Sequence, residues 1–306
     1  MLLDVIADTL VDALKLLPFL FLTYLAMEYI EHKAGDKAEE LVEKAGGFGP
    51  LIGSVLGMVP QCGFSAAASN LYAGRIITLG TLISIFLSTS DEMLPVFISN
   101  QVAVGTILKI LSIKVLIGMA AGFVIDLVLQ KKHKETGETE HLKIDEMCDH
   151  QHCHCGQGNI WKAAISHTLQ ILFFIVVVSF ILNLLISYIG EDSLSTLLSS
   201  RPMLGPVIAG LVGLIPNCAA SVVLTQLYLE GMINGGAMMA GLLAGAGVGL
   251  LVLFRVNENV KENLRIALLL YIIGVVSGIL IETVCIFVWV LPVSGYKGDI
   301  ILQSGG

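Results

Sequence analysis

A segment with a helix-breaking centre occurs twice in this chain. GPLIGSVLGMVPQCGFS begins at Gly49 and GPVIAGLVGLIPNCAAS begins at Gly205, and the two align without a gap at an offset of 156 residues. Between 49–80 and 205–236, eleven of 32 positions are identical, among them Pro60/Pro216, Cys62/Cys218, Ser65/Ser221 and Tyr72/Tyr228. Each copy is apolar on both sides of a Pro-polar-Cys centre. Proline removes a backbone donor and interrupts a helix. In a bilayer such a break survives only where protein or a polar cavity satisfies the freed backbone groups. Breaks at corresponding places in two halves of a membrane chain point to a transporter binding site.

The membrane setting follows from composition. Of 306 residues, 55% are hydrophobic and only 14% charged, against about 25% charged in an ordinary soluble domain. Apolar stretches at 14–30, 102–129, 171–189 and 266–290 can each cross a hydrocarbon core roughly 30 Å thick as a helix. The first has neither a basic leading region nor a small-residue cleavage site, so it reads as a retained helix rather than a signal peptide. The six cysteines form two groups, Cys62, Cys218 and Cys285 in apolar segments and Cys148, Cys153 and Cys155 in one polar loop. That is not a disulfide framework.

The expected fold is an all-α polytopic membrane protein made of two inverted-topology repeats. Each repeat has three full transmembrane helices plus a broken or re-entrant helical hairpin. The first repeat spans 1–130, with its hairpin about 48–74 in arms of about 48–59 and 64–74. The second spans 160–290, with its hairpin about 205–230. A loop at 131–159 joins them and a tail covers 291–306. Arms of ten residues make about 15 Å of helix, which reaches the bilayer midplane and stops. The matching runs on into the last helix of each half, where Lys109 pairs with Arg265, Gly118 with Gly274, Gly122 with Gly278 and Asp126 with Glu282.

If the hairpins re-enter, each half crosses three times and the second half is inverted. One side then collects 12 of the 17 Lys and Arg residues, leaving Lys15, Lys109, Lys114, Arg201 and Lys297 on the other. The positive-inside rule makes the first side cytoplasmic. Both termini are then expected outside, with loop 131–159 in the cytoplasm of a bacterial-type inner membrane.

Opposed half-helices aim their dipoles and free backbone groups at a midplane site. Gln61, Cys62, Ser65, Asn217, Cys218 and Ser221 are placed to line it with amide, thiol and hydroxyl groups. The alternative for Cys62 and Cys218 is that both are small buried hydrophobes. A second candidate is Ser88-Thr89-Ser90-Asp91-Glu92, in an otherwise apolar segment. Each carboxylate there costs about 2.5–3.5 kcal/mol on insertion scales, which a bound cation or proton would offset. The matching residues of the second half are Ala244-Gly245-Ala246-Gly247-Val248, so Asp91 and Glu92 have no counterpart. The alternative is that 88–92 is the solvated outer end of a helix pair. Asp126 and Glu282 join Asp91 and Glu92 as candidates for proton coupling, unless they snorkel to water or pair with a base.

Cys148, His150, His152, Cys153, His154 and Cys155 crowd one loop with soft and borderline ligands suited to Zn²⁺, Cu⁺ or Ni²⁺. The charged flanks are expected to be disordered. No glycine-rich phosphate loop with its lysine is present, so transport would be secondary. No enzyme pattern, cofactor motif or nucleic-acid signature occurs. The expected partners are the lipid bilayer, a metal ion or an arsenic species, and a second copy in a homo-oligomer.

VPQCGFSAAASNLYAGRIITLGTLI, STSDEMLP and IPNCAAS together resemble the ten-transmembrane heavy-metal exporters of bacteria. That family also goes under the names arsenic efflux protein and manganese transporter, and is distantly similar to organoarsenical permeases. The resemblance covers 1–130 and 160–290 and implies an efflux permease of two inverted halves. The second motif is PNCAAS rather than PQCGFS, so a family role for Gln61 or Gly63 does not carry to both halves. Three cargo readings follow. A divalent cation, Mn²⁺ foremost, suits Asp91, Glu92, Ser65, Gln61 and Asn217 as oxygen ligands. An arsenic species would use Cys62 and Cys218. A membrane metal sensor without transport would need only the loop.

Overall fold

The structure is a computed structural model that describes residues 46–58, 62–90, 93–136, 160–189 and 204–288, with scattered positions between 11 and 25. Among the described residues all regular structure is helical. The helices are α1 (Gly49–Gly57), α2 (Cys62–Ala73), α3 (Leu79–Ser88), α4 (Met93–Ser99), α5 (Val104–Thr136), α6 (Ile160–Ile189), α7 (Gly205–Gly213), α8 (Cys218–Leu229), α9 (Gly235–Ala244), α10 (Val248–Val256) and α11 (Val260–Val288). The bounds of α7, α8 and α9 lie 156 residues beyond those of α1, α2 and α3, and α11 begins 156 residues after α5.

Local chemistry explains the matched ends. Pro50 and Pro206 sit in the first turns of α1 and α7, where a missing N–H costs no helical bond. Thr78 caps α3 by accepting from the Thr81 amide at 3.1 Å, and Asn234 caps α9 by accepting from the Ala237 amide at 2.8 Å. Both helices α2 and α8 close with a bond spanning five residues, Ile76 N–H to Leu71 O at 2.8 Å and Met232 N–H to Leu227 O at 2.9 Å. Such a turn needs a left-handed residue. Gly231 supplies it at φ 73° and Arg75 at φ 59°.

In the second half the segment 234–255 consists of α9 and α10, separated at 245–247. Gly247 adopts φ 52°, ψ −141°, a conformation open to glycine. Each half therefore contains two interruptions, one between its short arms and one inside the following span.

The interrupted spans occupy the centre. In the Leu79–Ser99 and Gly235–Val256 spans, 75% and 83% of the apolar window is buried, against 33% and 28% for the Val104–Leu129 and Val260–Thr283 spans. Leu116, Val124 and Leu127 on α5 and Leu268, Ile272 and Val276 on α11 are exposed, as a lipid-facing stripe must be. Among the described residues four spans, two of them interrupted, are long and apolar enough to cross a membrane; the chain is a multi-pass membrane protein.

Packing then exchanges parts between the halves. α1 lies against α3 and α5, and α7 lies against α9 and α11. Of the other arms, α2 packs chiefly on α10 of the second half, α8 packs both on α9 of its own half and on α4 of the first, and α3 and α9 meet in the middle. The arms α1 and α2 of the first break thus have different chief partners, whereas α7 and α8 both pack on α9. Close approach is allowed by glycine. A Cβ at Gly122 would come within 2.6 Å of Gly80 O, and one at Gly278 within 2.5 Å of Gly236 O.

A polar cluster ties the end of α2 to the start of α11. The Arg75 guanidinium donates to both Glu262 carboxylate oxygens, at 3.1 and 3.3 Å, and the Tyr72 hydroxyl donates to the same carboxylate. Arg75 occupies a left-handed turn that costs a side-chain-bearing residue about 1–2 kcal/mol. Arg75→Gly would relieve that strain while losing the ion pair, so its melting temperature in detergent should stay close to wild type. Glu262→Ala keeps the strain and removes the shared acceptor, for a loss of about 1–3 kcal/mol. A larger fall for Arg75→Gly than for Glu262→Ala would refute this account.

Candidate functional site

Three of the interruptions open onto one cavity. Thr89 and Ser90 from the α3–α4 break, Asn217 and Ser221 from the α7–α8 break, and Gly245 and Gly247 from the α9–α10 break line it, with Lys114 of α5. It offers about 20 Å³ to the centre of a water molecule, where a buried water needs roughly 10–15 Å³ on that measure. One water or one small ion fits.

Polar groups reach the otherwise largely apolar walls because helices stop there. Thr89 caps the C-terminal end of α3, its amide bonding Ile85 O at 3.0 Å, and Gly245 caps that of α9, its amide bonding Gly241 O at 2.9 Å. Beyond those bonds the last carbonyls of each helix have no partner within it. Asn217, buried, starts α8 by accepting from the Ala219 amide at 3.2 Å. The Ser90 hydroxyl donates to Met58 O at 2.7 Å. That bond carries the α3–α4 interruption up to the end of α1, next to the first Pro-polar-Cys motif.

Lys114 is the residue that sequence reasoning missed. It is 1% exposed, and its ammonium donates to Thr89 O and, at 3.0 Å, to Leu242 O. Counting it among charges on the outer side of the membrane is corrected by this burial. A helical rise of 1.5 Å per residue puts it about 15 Å into α5, near mid-bilayer depth. A lysine inside an apolar span is the signal that could have found it, since an intramembrane charge is a site candidate by default.

Of the expected pathway residues, the fold brings Ser90, Asn217 and Ser221 together. Ser88 is buried beside them, but its hydroxyl bonds back to Ser84 O at 2.7 Å and Ile85 O at 3.1 Å. The solvated-end alternative for this segment fails at Ser88, Thr89 and Ser90, which are 0%, 3% and 2% exposed. Ser65 lies elsewhere, close against Gly249 of α10, where a Cβ would come within 2.7 Å of it. Cys62 and Cys218 are the first residues of α2 and α8, and their side chains lie outside what is described. Gln61, Asp91, Glu92 and the loop ligands Cys148, His150, His152, Cys153, His154 and Cys155 also fall outside the described residues. Among the described residues no three His, Cys, Asp or Glu side chains are grouped to hold a metal.

Asp126 and Glu282 have a different setting from the cavity. Asp126 accepts from the Gly80 amide at 2.8 Å and the Thr78 hydroxyl at 2.7 Å, and Glu282 accepts from the Gly236 amide at 3.0 Å. Each carboxylate thus meets the positive N-terminal end of a half-helix, α3 in one case and α9 in the other. Neither the snorkelling nor the basic-partner alternative describes these contacts. Asp126 lies 12 residues beyond Lys114 on α5, or about 18 Å along the axis.

Residues 1–192 match the family model described as "Putative, 10TM heavy-metal exporter". The chain belongs to that family. The match takes in the first motif, residues 88–92, Lys114, the His/Cys loop and α6, while α7 to α11 lie beyond it. No curated protein matches the chain, and no solved structure does. A heavy-metal exporter family makes a membrane transporter the functional class and a metal its cargo.

Proposed function

We propose that this exporter moves a divalent metal cation, Mn²⁺ foremost, by secondary transport through the cavity where the broken helices meet. The carrying observation is the convergence of three helix interruptions on one cavity that has polar groups in its lining and room for a single small ion. Its lining presents carbonyl, hydroxyl and amide oxygens, the ligand type of a hard divalent ion. Asp91 follows Ser90 directly in the chain and occupies the position that cavity-lining Gly247 occupies in the second half. Asp91 and Glu92 are the residues proposed to supply the cargo's counter-charge.

Two inverted repeats form the frame of this proposal, supported by helix bounds and packing partners that recur at one offset. The segment 131–159, whose first six residues continue α5, is placed on the cytoplasmic side by this proposal, with its thiols and imidazoles collecting metal before export. Proton coupling, if it runs through a carboxylate, uses Asp91 or Glu92 beside the cargo rather than Asp126 or Glu282, which hold helix ends.

The test is metal flux in proteoliposomes across Mn²⁺, Zn²⁺, Co²⁺, Ni²⁺ and arsenite, with and without a pH gradient. Asp91→Asn should lower Mn²⁺ flux by about tenfold to a hundredfold, the range for perturbing a metal's ligand environment. Wild-type flux of Mn²⁺ that survives Asp91→Asn unchanged would remove the carboxylate from the pathway. Arsenite flux abolished by Cys62→Ser with Cys218→Ser, and no flux of any divalent ion, would replace the cation reading with a thiol one.

A further inference from the structure

The cavity already holds a cation, and that cation belongs to the protein. Lys114 Nζ sits where the C-terminal ends of α3 and α9 converge, bonded to Thr89 O and Leu242 O. Each helix end carries roughly half a negative charge, and each carbonyl is one that its own helix leaves open. Such carbonyls coordinate ions in transporters built from broken helices. Only one half supplies the ammonium, because the residue matching Lys114 in the second half is Leu270, wholly buried. The two halves are thus alike in offering a helix end and unlike in offering a cation. The cavity of about 20 Å³ beside it has room for roughly one water-sized occupant, so a metal ion entering there lies against the seated ammonium, and the two cations compete for the same oxygens.

We infer that Lys114 is a tethered competitor of the cargo, holding the oxygens of the site when no metal is bound and leaving them when metal enters. This rests on the cavity being the cation site proposed above. A transporter must not trap its cargo, and an internal cation that returns to its seat drives the metal off. It also keeps two buried carbonyls satisfied in the empty carrier, which would otherwise cost about 1–3 kcal/mol apiece. Lys114 is therefore a specificity- and affinity-setting residue whose effect is on how strongly metal is held, not on whether the pathway exists. An ammonium that spends most of its time seated lowers the apparent metal affinity by the fraction of time the site is vacant.

The experiment is Mn²⁺ flux into proteoliposomes containing the full chain, measured against Mn²⁺ concentration for wild type, Lys114→Met and Lys114→Arg. Lys114→Met keeps the stem and removes the competitor. Its half-saturating Mn²⁺ concentration should fall by about tenfold, with a lower maximal rate as release slows. Lys114→Arg keeps a cation with more donors on the same carbonyls, and its half-saturating concentration should rise. A purely structural lysine would reduce the amount of working protein, lowering the maximal rate with half-saturation unchanged in both variants. That result overturns the inference while leaving the cation proposal intact. If Lys114→Met does not assemble, an unchanged half-saturation in Lys114→Arg is sufficient to overturn it. Absence of Mn²⁺ flux in wild type overturns the cation proposal itself, and the competitor with it.

Discussion

Gly213→Val should be the most disruptive single substitution in the described core. Gly213 ends α7 at the cavity wall, and any Cβ there would run into the backbone carbonyl of Gly241 on α9. The obstacle is main chain on both sides, so no rotamer change can relieve it. Overpacking a tight core costs typically 1–3 kcal/mol and more when backbone must move, so a loss of about 3 kcal/mol or greater is expected. The shift would also part α7 from α9 and distort the cavity between their ends. Gly105→Ala is the control, because a Cβ there meets nothing within 4 Å. Thermal unfolding in detergent should show a large fall for the first and none for the second. Equal melting temperatures for both would mean that α7 and α9 do not pack as described.

Asp126→Ala is expected to have the next largest effect. The substitution takes away the acceptor of the buried Gly80 amide and of the Thr78 hydroxyl together. A buried donor left without a partner costs about 1–3 kcal/mol, and the favourable placement of a negative charge at a helix N-terminus adds about 0.3–1 kcal/mol. Asp126→Asn should recover most of this, since its carbonyl can still accept from Gly80 and its amide can donate to Thr78. Glu282→Ala should fall in the same direction by less, having one recorded acceptor role, the Gly236 amide at 3.0 Å. The ranking Asp126→Ala, then Glu282→Ala, then Asp126→Asn is read from melting temperatures. Mn²⁺ flux per folded protein should change little in all three if these carboxylates hold helix ends. A folded Asp126→Asn protein with flux abolished would instead return Asp126 to the proton pathway.

Both pairs, Gly80 with Asp126 and Gly236 with Glu282, were already visible as matched positions of the duplication. Their contact was not. The partners are 46 residues apart in each half, far outside the three- or four-residue spacing by which a helix brings side chains together. Duplication shows that a position has an equal elsewhere, not what it touches. The same limit hid the exchange of arms. Nothing in a ten-residue apolar segment says whether it packs on its own half, as α1 does, or crosses to the other, as α2 does. The second interruption, at 245–247, was present as Gly245-Ala246-Gly247, but glycine inside an apolar helix is common in membranes and does not by itself require a break.

Read alone, then, the chain determined that this is a helical membrane protein with a doubled plan and Pro-polar-Cys breaks at fixed places. Those properties are local or repetitive: hydropathy over 20 residues, the missing amide of proline, identity at one offset. Tertiary structure decided what the breaks share. It joined three of them in one cavity and left Ser65 outside it against Gly249. It also seated Lys114 on the carbonyls of two helices that lie on either side of the duplication. The physical reason is that helix ends expose polar groups whose partners cannot come from their own helix. Which partner completes them depends on how separate helices pack, and neither periodicity nor composition carries that information.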